Sequence, residues 1–467
     1  MTCDPLPDHP SAELVIRNPA NGAVVQQIAV DSADEVARKA AAARAAQPAW
    51  AATPLSERKR CIARFRALVV HERDRLAQVM TRETGKPISM SRNELDGLLG
   101  RIDFFLEQAE AALASETVYH AEGLRERIER VPLGLVACIS AWNYPWFVGC
   151  NVILPALLCG NAVLYKPSEY ATLTGLELAG LLHAAALPRA LLACLPGAAA
   201  TGAALLDQDL EAVCFTGSLP TGRKVAQALA GRMIRLQLEL GGKDPVYVCE
   251  DVCIRTASAS LAEGAMYNTG QSCCAVERIY VHAAIHDTFV AQFVERVKSF
   301  PCGDPMDERS YIGPLTRAAQ REVLEAQIAD ALAKGARLLT GGKRGTPPGN
   351  WFEPTVLTDV DHRMVLMREE SFGPIVGIQK VAGDEEAVHL MNDSHYGLTA
   401  GVYCTDEERA RRLLAQVHAG SVYWNCCDRV SPRLPWSGVG DSGLGLTLSV
   451  EGIRNFTRPK AWHLRSA

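Results

Sequence analysis

The sequence predicts an α/β fold built on parallel sheets with helices on both faces. Three observations carry that reading. From Gly134 onward, short apolar strands alternate with helical runs. A second series of the same kind extends from about Asp244 to Tyr423. Buried strands that alternate with helices form a parallel sheet covered on both sides. The chain also has 467 residues, too many for one hydrophobic core, so two or three domains are expected.

The elements follow in order. Residues 1–30 read as an arm of strand-like pieces with turn signals at Asn18-Pro19 and Asn21-Gly22. Ser32-Ala33-Asp34-Glu35 is a capping box and opens an Ala-rich helix that continues to Trp50. Pro54 and Ser56-Glu57 open a second helix towards Thr84, which Gly85-Lys86-Pro87 stops, and a third fills about 89–115. Residues 124–131 are a charged strand, half of a hairpin whose partner lies near Val118. It is either a solvated edge or an edge that pairs with another subunit. Strands are then expected at 135–140, 162–165, 191–195, 212–215 and 236–238, with helices at 146–158 and 172–186. The second series holds a helix over 256–267, a strand over 276–281 and a helix ending near Lys334-Gly335. Further strands lie near 375–378 and 422–424, and the tail ends in a strand-like stretch.

The totals exclude several functions. Hydrophobic residues make up 48% and charged residues 22%, an ordinary soluble composition. The net charge of -5, without a long basic run, argues against a nucleic-acid or anionic-membrane partner. No apolar run reaches the ~18 residues a membrane span needs. The 15 cysteines are scattered and lack Cys-x-x-Cys zinc spacing, which reads as a cytoplasmic, reduced chain without a metal site. The start, Met1-Thr2-Cys3-Asp4-Pro5, has no signal region.

Two glycine motifs mislead. Gly438-Val439-Gly440-Asp441-Ser442-Gly443 matches the dinucleotide fingerprint literally. It follows Pro435-Trp436-Ser437 rather than a strand and lacks the later acidic residue, so it is a Gly-rich bend. The 217–222 stretch, followed by Arg223-Lys224, misplaces the lysine of a phosphate loop.

Other stretches carry chemistry. Asn268-Thr269-Gly270-Gln271-Ser272-Cys273-Cys274-Ala275 sets two cysteines at a bend between a helix and a strand. A thiolate there gains from nearby backbone N–H groups while staying reachable. A pair of buried structural thiols is the plain alternative. Trp142-Asn143-Tyr144-Pro145 and Lys166-Pro167-Ser168-Glu169 each follow a strand, where open α/β sheets bind ligands. Phe215-Thr216-Gly217-Ser218 leads from a strand into a helix, whose N–H groups favour phosphate. Glu239-Leu240-Gly241-Gly242-Lys243 ends the last strand of the first series, and Glu369-Glu370-Ser371-Phe372-Gly373-Pro374 lies in the second.

In this joint order, with the run from Pro435 to Gly445, the motifs resemble those of the aldehyde dehydrogenase superfamily over essentially the whole chain. Gly440 departs from the Lys that many members carry, at a position outside the catalytic set. The resemblance implies that Cys273 is the nucleophile and forms a hemithioacetal. The Gln-x-Cys spacing favours it over Cys274, whose side chain a strand-like backbone would point the other way. The Asn143 amide and the Cys273 N–H would hold the oxyanion, one such donor being typically worth ~3–4 kcal/mol. Glu239 would activate the water that cleaves the thioester. NAD is the implied cofactor, with NADP open. Lys166 and Glu169 would meet its adenosine ribose, Gly217 and Ser218 its pyrophosphate, and Glu370 and Phe372 its nicotinamide side, with Trp142 lining the channel.

The resemblance also implies a Rossmann-like cofactor domain over 1–111 and 131–241 and an α/β catalytic domain over 242–440. A β oligomerisation arm of 112–130 and 441–467 would build a homodimer or homotetramer. The substrate is a small-molecule aldehyde, entering past Tyr144, Val148, Tyr267 and Trp436. That apolar, aromatic lining favours uncharged aldehydes, while Arg429 and Arg433 keep acidic ones open. A CoA-acylating relative would lack Glu239, an inactive one would lose Cys273, Glu239 or Asn143, and a Cys-His hydrolase would need a histidine motif that is missing.

Overall fold

The structure, a computed structural model, describes residues 13–466. The opening Met1-Thr2-Cys3-Asp4-Pro5 stretch and the first part of the expected arm lie outside them. The rest of the arm pairs Glu13–Arg17 with Val24–Ala29 antiparallel. The helix Ala33–Ala52 starts where the capping box puts it, with Ser32 Oγ accepting the Glu35 N–H at 3.2 Å. Leu55–Thr84 and Ile88–Leu113 follow, separated by the Gly85-Lys86-Pro87 break.

Two sheets form the body, and the fold class is α/β. The first has six strands in the order Gly443–Leu444, Arg235–Glu239, Ala212–Thr216, Leu135–Ile139, Ala162–Lys166 and Leu192–Cys194. Its five main strands run parallel. Because they do, the motifs that follow Ile139, Lys166, Thr216 and Glu239 all emerge along one edge, the carboxyl edge, where such sheets bind ligands. The second sheet orders Arg337–Thr340, Thr355–Thr358, Ile375–Val381, Val276–His282, Asp244–Val248, Thr399–Tyr403 and Ser421–Trp424. Only its first pair is antiparallel. A third, antiparallel sheet joins Thr457–Arg465, Leu124–Pro132 and Glu116–Ala121, so the charged hairpin exists and the tail strand lies along it.

The late glycine run behaves differently from a simple bend. It forms the short strands Val439–Gly440 and Gly443–Leu444, and the second pairs with Arg235–Glu239. The 441–467 stretch expected in the arm is therefore divided, with Gly443–Leu444 in the six-stranded sheet. Gly443 permits this: its φ is +150° and a Cβ would collide with the Leu238 carbonyl.

Helix ends that no local residue caps are satisfied from afar. Pro145–Leu158 and Thr172–Ala184 have no side-chain cap of their own. Glu94 Oε1 accepts the Trp146 N–H at 2.9 Å, and Glu83 accepts the N–H groups of Leu173 and Thr174 at 2.6 and 2.9 Å. Each carboxylate meets free N–H groups and the positive end of a helix dipole. Burial nevertheless holds Glu83 up at about 7. At the other polarity, buried Arg278 donates to the carbonyls of Leu390 and Met391, which end the helix Asp384–Asn392. Among the described residues no helix is long and apolar enough to cross a membrane.

Candidate active site

The helix Ile254–Met266 leads into three consecutive left-handed residues, Asn268 (φ 52°), Thr269 (φ 58°) and Gly270 (φ 69°). Non-glycine residues in this region carry about 1–3 kcal/mol of strain each and persist only where neighbours hold them. They are held here. Asn268 Nδ2 donates to the Gln271 carbonyl at 3.0 Å, and Gln271 Nε2 returns a bond to the Asn268 carbonyl at 3.2 Å. Gln271 Oε1 accepts the Thr316 N–H at 2.9 Å, and Thr269 Oγ1 accepts the Gly313 N–H at 3.1 Å. Gly270 lies so close to the Gly373 carbonyl that a Cβ would collide with it, which presses the 369–374 motif against this loop.

Cys273 follows in a turn closed by the Ala275 N–H on the Ser272 carbonyl at 3.1 Å. The two cysteines lie in the expected bend and the strand begins at Val276; the backbone at Cys273 and Cys274 is a turn rather than strand-like, because the left-handed residues upstream turn it first. The two thiols still differ. Cys273 is half-buried and Cys274 buried. Cys274 Sγ donates to Asp428 Oδ1 at 3.0 Å. A hydrogen bond from Cys274 pulls the Cys273 thiol down, but burial and the charges of Glu239, Asp244 and Glu370 outweigh it and raise it.

Asn143 is buried, and its backbone carbonyl accepts Asn268 Nδ2 at 3.2 Å. One side chain thus ties the loop of Asn143 to the loop of Cys273. Tyr144 stacks on Phe147 at 5.9 Å, and the Lys86 ammonium sits 4.0 Å over its ring. Lys86 is itself buried and paired with Glu94. Val148 is buried in the helix after Tyr144, and the Tyr267 hydroxyl accepts from Asn93 Nδ2 at 3.3 Å.

Glu239 ends its strand 7% exposed. Trp436 Nε1 donates to its Oε1 at 2.5 Å, and Thr216 Oγ1 to its Oε2 at 3.3 Å. Burial raises the carboxyl above its ordinary range, against the pull of the Trp436 bond and of Arg101. Trp436, expected at the entrance, is 4% exposed and turned inward onto this carboxylate. The pairing of Gly443–Leu444 with Arg235–Glu239 brings it there.

The residues expected around a dinucleotide share the carboxyl edge of the first sheet. Lys166 is 5% exposed, and its ammonium donates to the Pro167 carbonyl at 3.3 Å. Burial lowers its pKa, so it gains from a further acceptor such as a ribose oxygen. Glu169 accepts from Ser168 Oγ at 3.3 Å. The Gly217 N–H donates to the Glu239 carbonyl at 3.1 Å. Ser218 stands at the start of the helix Leu219–Leu229, where its hydroxyl bonds Thr221 Oγ1 at 3.1 Å rather than capping the helix. That leaves the first-turn N–H groups for phosphate. Trp142 packs edge-to-face on Phe372 at 5.4 Å and on Tyr170 at 6.5 Å. Glu370 accepts the Gly242 N–H at 3.2 Å, and burial with the nearby Glu277 charge holds its carboxyl at about 8. A buried cation, a carboxylate and an open helix end along one edge fit a dinucleotide.

A buried network behind Phe372 was not legible in the sequence. Lys243 Nζ donates to Glu277 Oε2 at 2.5 Å and to Ser371 Oγ at 2.9 Å. Glu277 accepts the N–H groups of Ser371 and Phe372 at 2.8 and 2.9 Å. It locks the 370–372 segment to the Gly-Gly-Lys turn and holds Phe372 at φ 48°. Asp428 and Glu94 were missed as well, since neither lies in a recognisable motif.

A model of the aldehyde dehydrogenase family matches residues 7–462. The chain belongs to that family. It is 37% identical over 451 residues to a betaine aldehyde dehydrogenase of Sinorhizobium fredii, covering 95% of this chain and 92% of the relative. The structure of PnpE in complex with nicotinamide adenine dinucleotide is similar at a TM-score of 0.94 and 33% identity, and so is that of PnpE from Pseudomonas sp. WBC-3. That similarity covers 97% of this chain and 94% of PnpE. An NADP-dependent enzyme of E. coli also reaches a TM-score of 0.94, at 30% identity over 97% and 95% of the two chains. This aldehyde dehydrogenase family member is an oxidoreductase that oxidises aldehydes with NAD(P).

Proposed function

We propose that the chain converts a small aldehyde to its acid through a thioester on Cys273, hydrolysed by a water that Glu239 deprotonates. The observation that carries this is the Asn268 bridge, whose Nδ2 joins the Asn143 carbonyl at 3.2 Å to the Gln271 carbonyl at 3.0 Å, two residues before the half-buried Cys273. The Cys273 thiolate adds to the carbonyl carbon. The Asn143 amide and the Cys273 N–H hold the oxyanion that forms. A nicotinamide held between Trp142, Glu370 and Phe372 would supply the hydride acceptor for this carbon. Glu239 keeps lone pairs beyond those used by Trp436 and Thr216, so it can take a proton from water as the hydroxide adds to the acyl carbon, the C–S bond breaks and the Cys273 thiolate leaves. Lys166, Glu169, Gly217 and Ser218 bind the adenosine and phosphate half, and Trp142, Glu370 and Phe372 flank the nicotinamide half. Residues 1–111 and 131–241 supply most of that surface together with Asn143 and Glu239, and 242–440 supplies the nucleophile Cys273.

Tyr144, Val148 and Tyr267 line the entrance, and Trp436 serves Glu239 instead. Betaine aldehyde, for which the Sinorhizobium fredii relative is named, is a cation. The rings of Tyr144 and Tyr267, whose hydroxyls feel the Asp428 charge, support carrying cationic and neutral aldehydes over to this chain. An aldehyde panel with NAD, followed by absorbance of the reduced cofactor, tests this. A preference for anionic aldehydes overturns the substrate class, and no turnover with any aldehyde overturns the reading.

NAD should be preferred over NADP because of Glu169. A carboxylate can accept from a ribose 2′-hydroxyl but repels a 2′-phosphate, by ~1 kcal/mol at ~4 Å in water and ~4 kcal/mol at an effective dielectric of 20. Lys166 works against this, so we expect about 10-fold discrimination, at ~1.4 kcal/mol per tenfold. The ratio of kcat/KM values in wild type and Glu169→Gln measures it. A wild-type preference for NADP, or a ratio unmoved by the substitution, removes Glu169 from the choice.

The arm should build a homodimer or homotetramer in the cytoplasm. The free thiols support a reducing compartment. Val118 and Tyr119 are exposed on one edge strand of the arm, and Val422 and Trp424 on the edge strand of the seven-stranded sheet; open edges of this kind pair with other chains. Deleting residues 458–467 should lower the mass seen by light scattering. A truncated chain of native mass and activity excludes the tail as an interface.

A further inference from the structure

The two residues on either side of Cys273 turn their side chains to one carboxylate. Ser272 Oγ donates to Asp428 Oδ1 at 3.3 Å, and Cys274 Sγ donates to the same oxygen at 3.0 Å. The two donors lie 3.4 Å from each other. Asp428 stands in a loop of its own, at φ 48° after Asn425 at φ 54°. Asn425 exchanges two bonds with Cys404, at 2.9 and 3.1 Å. Cys427 Sγ donates to the Ser260 carbonyl at 3.6 Å, and the Tyr423 hydroxyl donates to the Arg429 carbonyl. The carboxylate is therefore a fixed point beside a strained turn.

Adjacent thiols pose a chemical problem, because either one, once deprotonated, is a nucleophile. A thiolate at Cys274 would stand in contact with the Asp428 charge, and like charges at contact disfavour ionisation. The Cys273 bond, burial and Asp428 together raise the Cys274 thiol well above its ordinary value. Lys86 and Arg429 face Asp428 with positive charge, but Lys86 is paired with Glu94 and Arg429 is exposed.

We propose that Asp428 is a positioning residue for Cys273: it pins the turn through Ser272 and Cys274 and keeps Cys274 a protonated donor, so that only Cys273 attacks the aldehyde. The proposal rests on Cys273 being the nucleophile.

The test compares full-length wild type, Asp428→Ala, Asp428→Asn and Cys273→Ala by steady-state kinetics and by brief iodoacetamide labelling at one pH, with sites read by peptide mass. Misplacing a reacting group by about 1 Å costs about 100-fold, so Asp428→Ala should lower kcat about 10- to 100-fold with KM little changed. Its label should spread to Cys274, whereas wild type labels Cys273 at least about tenfold more, as thiolate character dictates. Asp428→Asn keeps an acceptor oxygen but not the charge. It should hold most of kcat and still label Cys274, and it supplies the labelling readout if the alanine variant does not fold. Unchanged labelling in either variant, or wild-type kcat in Asp428→Ala, overturns the proposal. An active Cys273→Ala sinks the nucleophile assignment itself; an inactive one beside unaltered Asp428 variants sinks only the positioning role.

Discussion

Cys273→Ala should abolish formation of reduced cofactor, with kcat/KM falling by at least about four orders of magnitude, the scale on which removing a covalent nucleophile acts. The thiol is half-exposed in a turn fixed on both sides. Cys274→Ala should keep activity within about fivefold: its sulfur is buried against Asp428, and a cysteine-to-alanine change leaves only a small cavity. The opposite pattern in steady-state assays with NAD overturns the assignment. Melting temperatures near that of wild type for both variants would show that the difference is chemical.

The alternation of strands and helices was legible because buried parallel strands read as short apolar runs and because boundaries are marked locally, as Ser32 and Gly85 mark theirs. The motifs after Ile139, Lys166, Thr216 and Glu239 were legible for a related reason: in a parallel sheet all strand ends meet on one edge, so residues far apart in sequence share a site without any direct signal. What stayed hidden depends on contacts between distant residues. Glu83 and Glu94 cap helices from another part of the chain, and a lone glutamate inside a helix looks like surface. Gly443 joins the first sheet because its backbone can approach Leu238, which no periodicity reveals. Trp436 read as an entrance residue for the same reason. Its indole reaches Glu239 only once that strand has paired. The bend at Cys273 is legible because the alternating apolar run begins only at Val276, but the left-handed geometry at Asn268 and Thr269 is set by Gln271, Thr316 and Gly313 rather than by propensity.

Glu239→Gln should separate the two halves of the reaction. Forming the thioester needs the thiolate, the oxyanion donors and the cofactor, and none of these passes through the Glu239 carboxylate. Cleaving it needs a base for water, and loss of a general base typically costs about 10²- to 10⁴-fold. The variant should therefore give a burst of about one reduced cofactor per active site and then turn over slowly, with the mass of the acyl group added to Cys273. Glutamine keeps the size of the side chain, and its amide oxygen can still accept from Trp436, so the fold should hold. The pH dependence follows from the burial of this group. Its carboxyl is raised above the ordinary carboxylate range, so the fold favours the protonated form, and the base is lost as pH falls through that raised value. Wild-type kcat should decline on the acid side above the pH at which a free glutamate would titrate, and Glu239→Gln should lack that limb. Trp436→Phe removes a donor that favours the charged carboxylate, so it should move the limb to higher pH. Rapid mixing with an aldehyde and NAD, followed by intact-protein mass measurement across pH, reads wild type and both variants. A Glu239→Gln enzyme with no burst and an unmodified Cys273 would assign this carboxylate to activating the thiol instead.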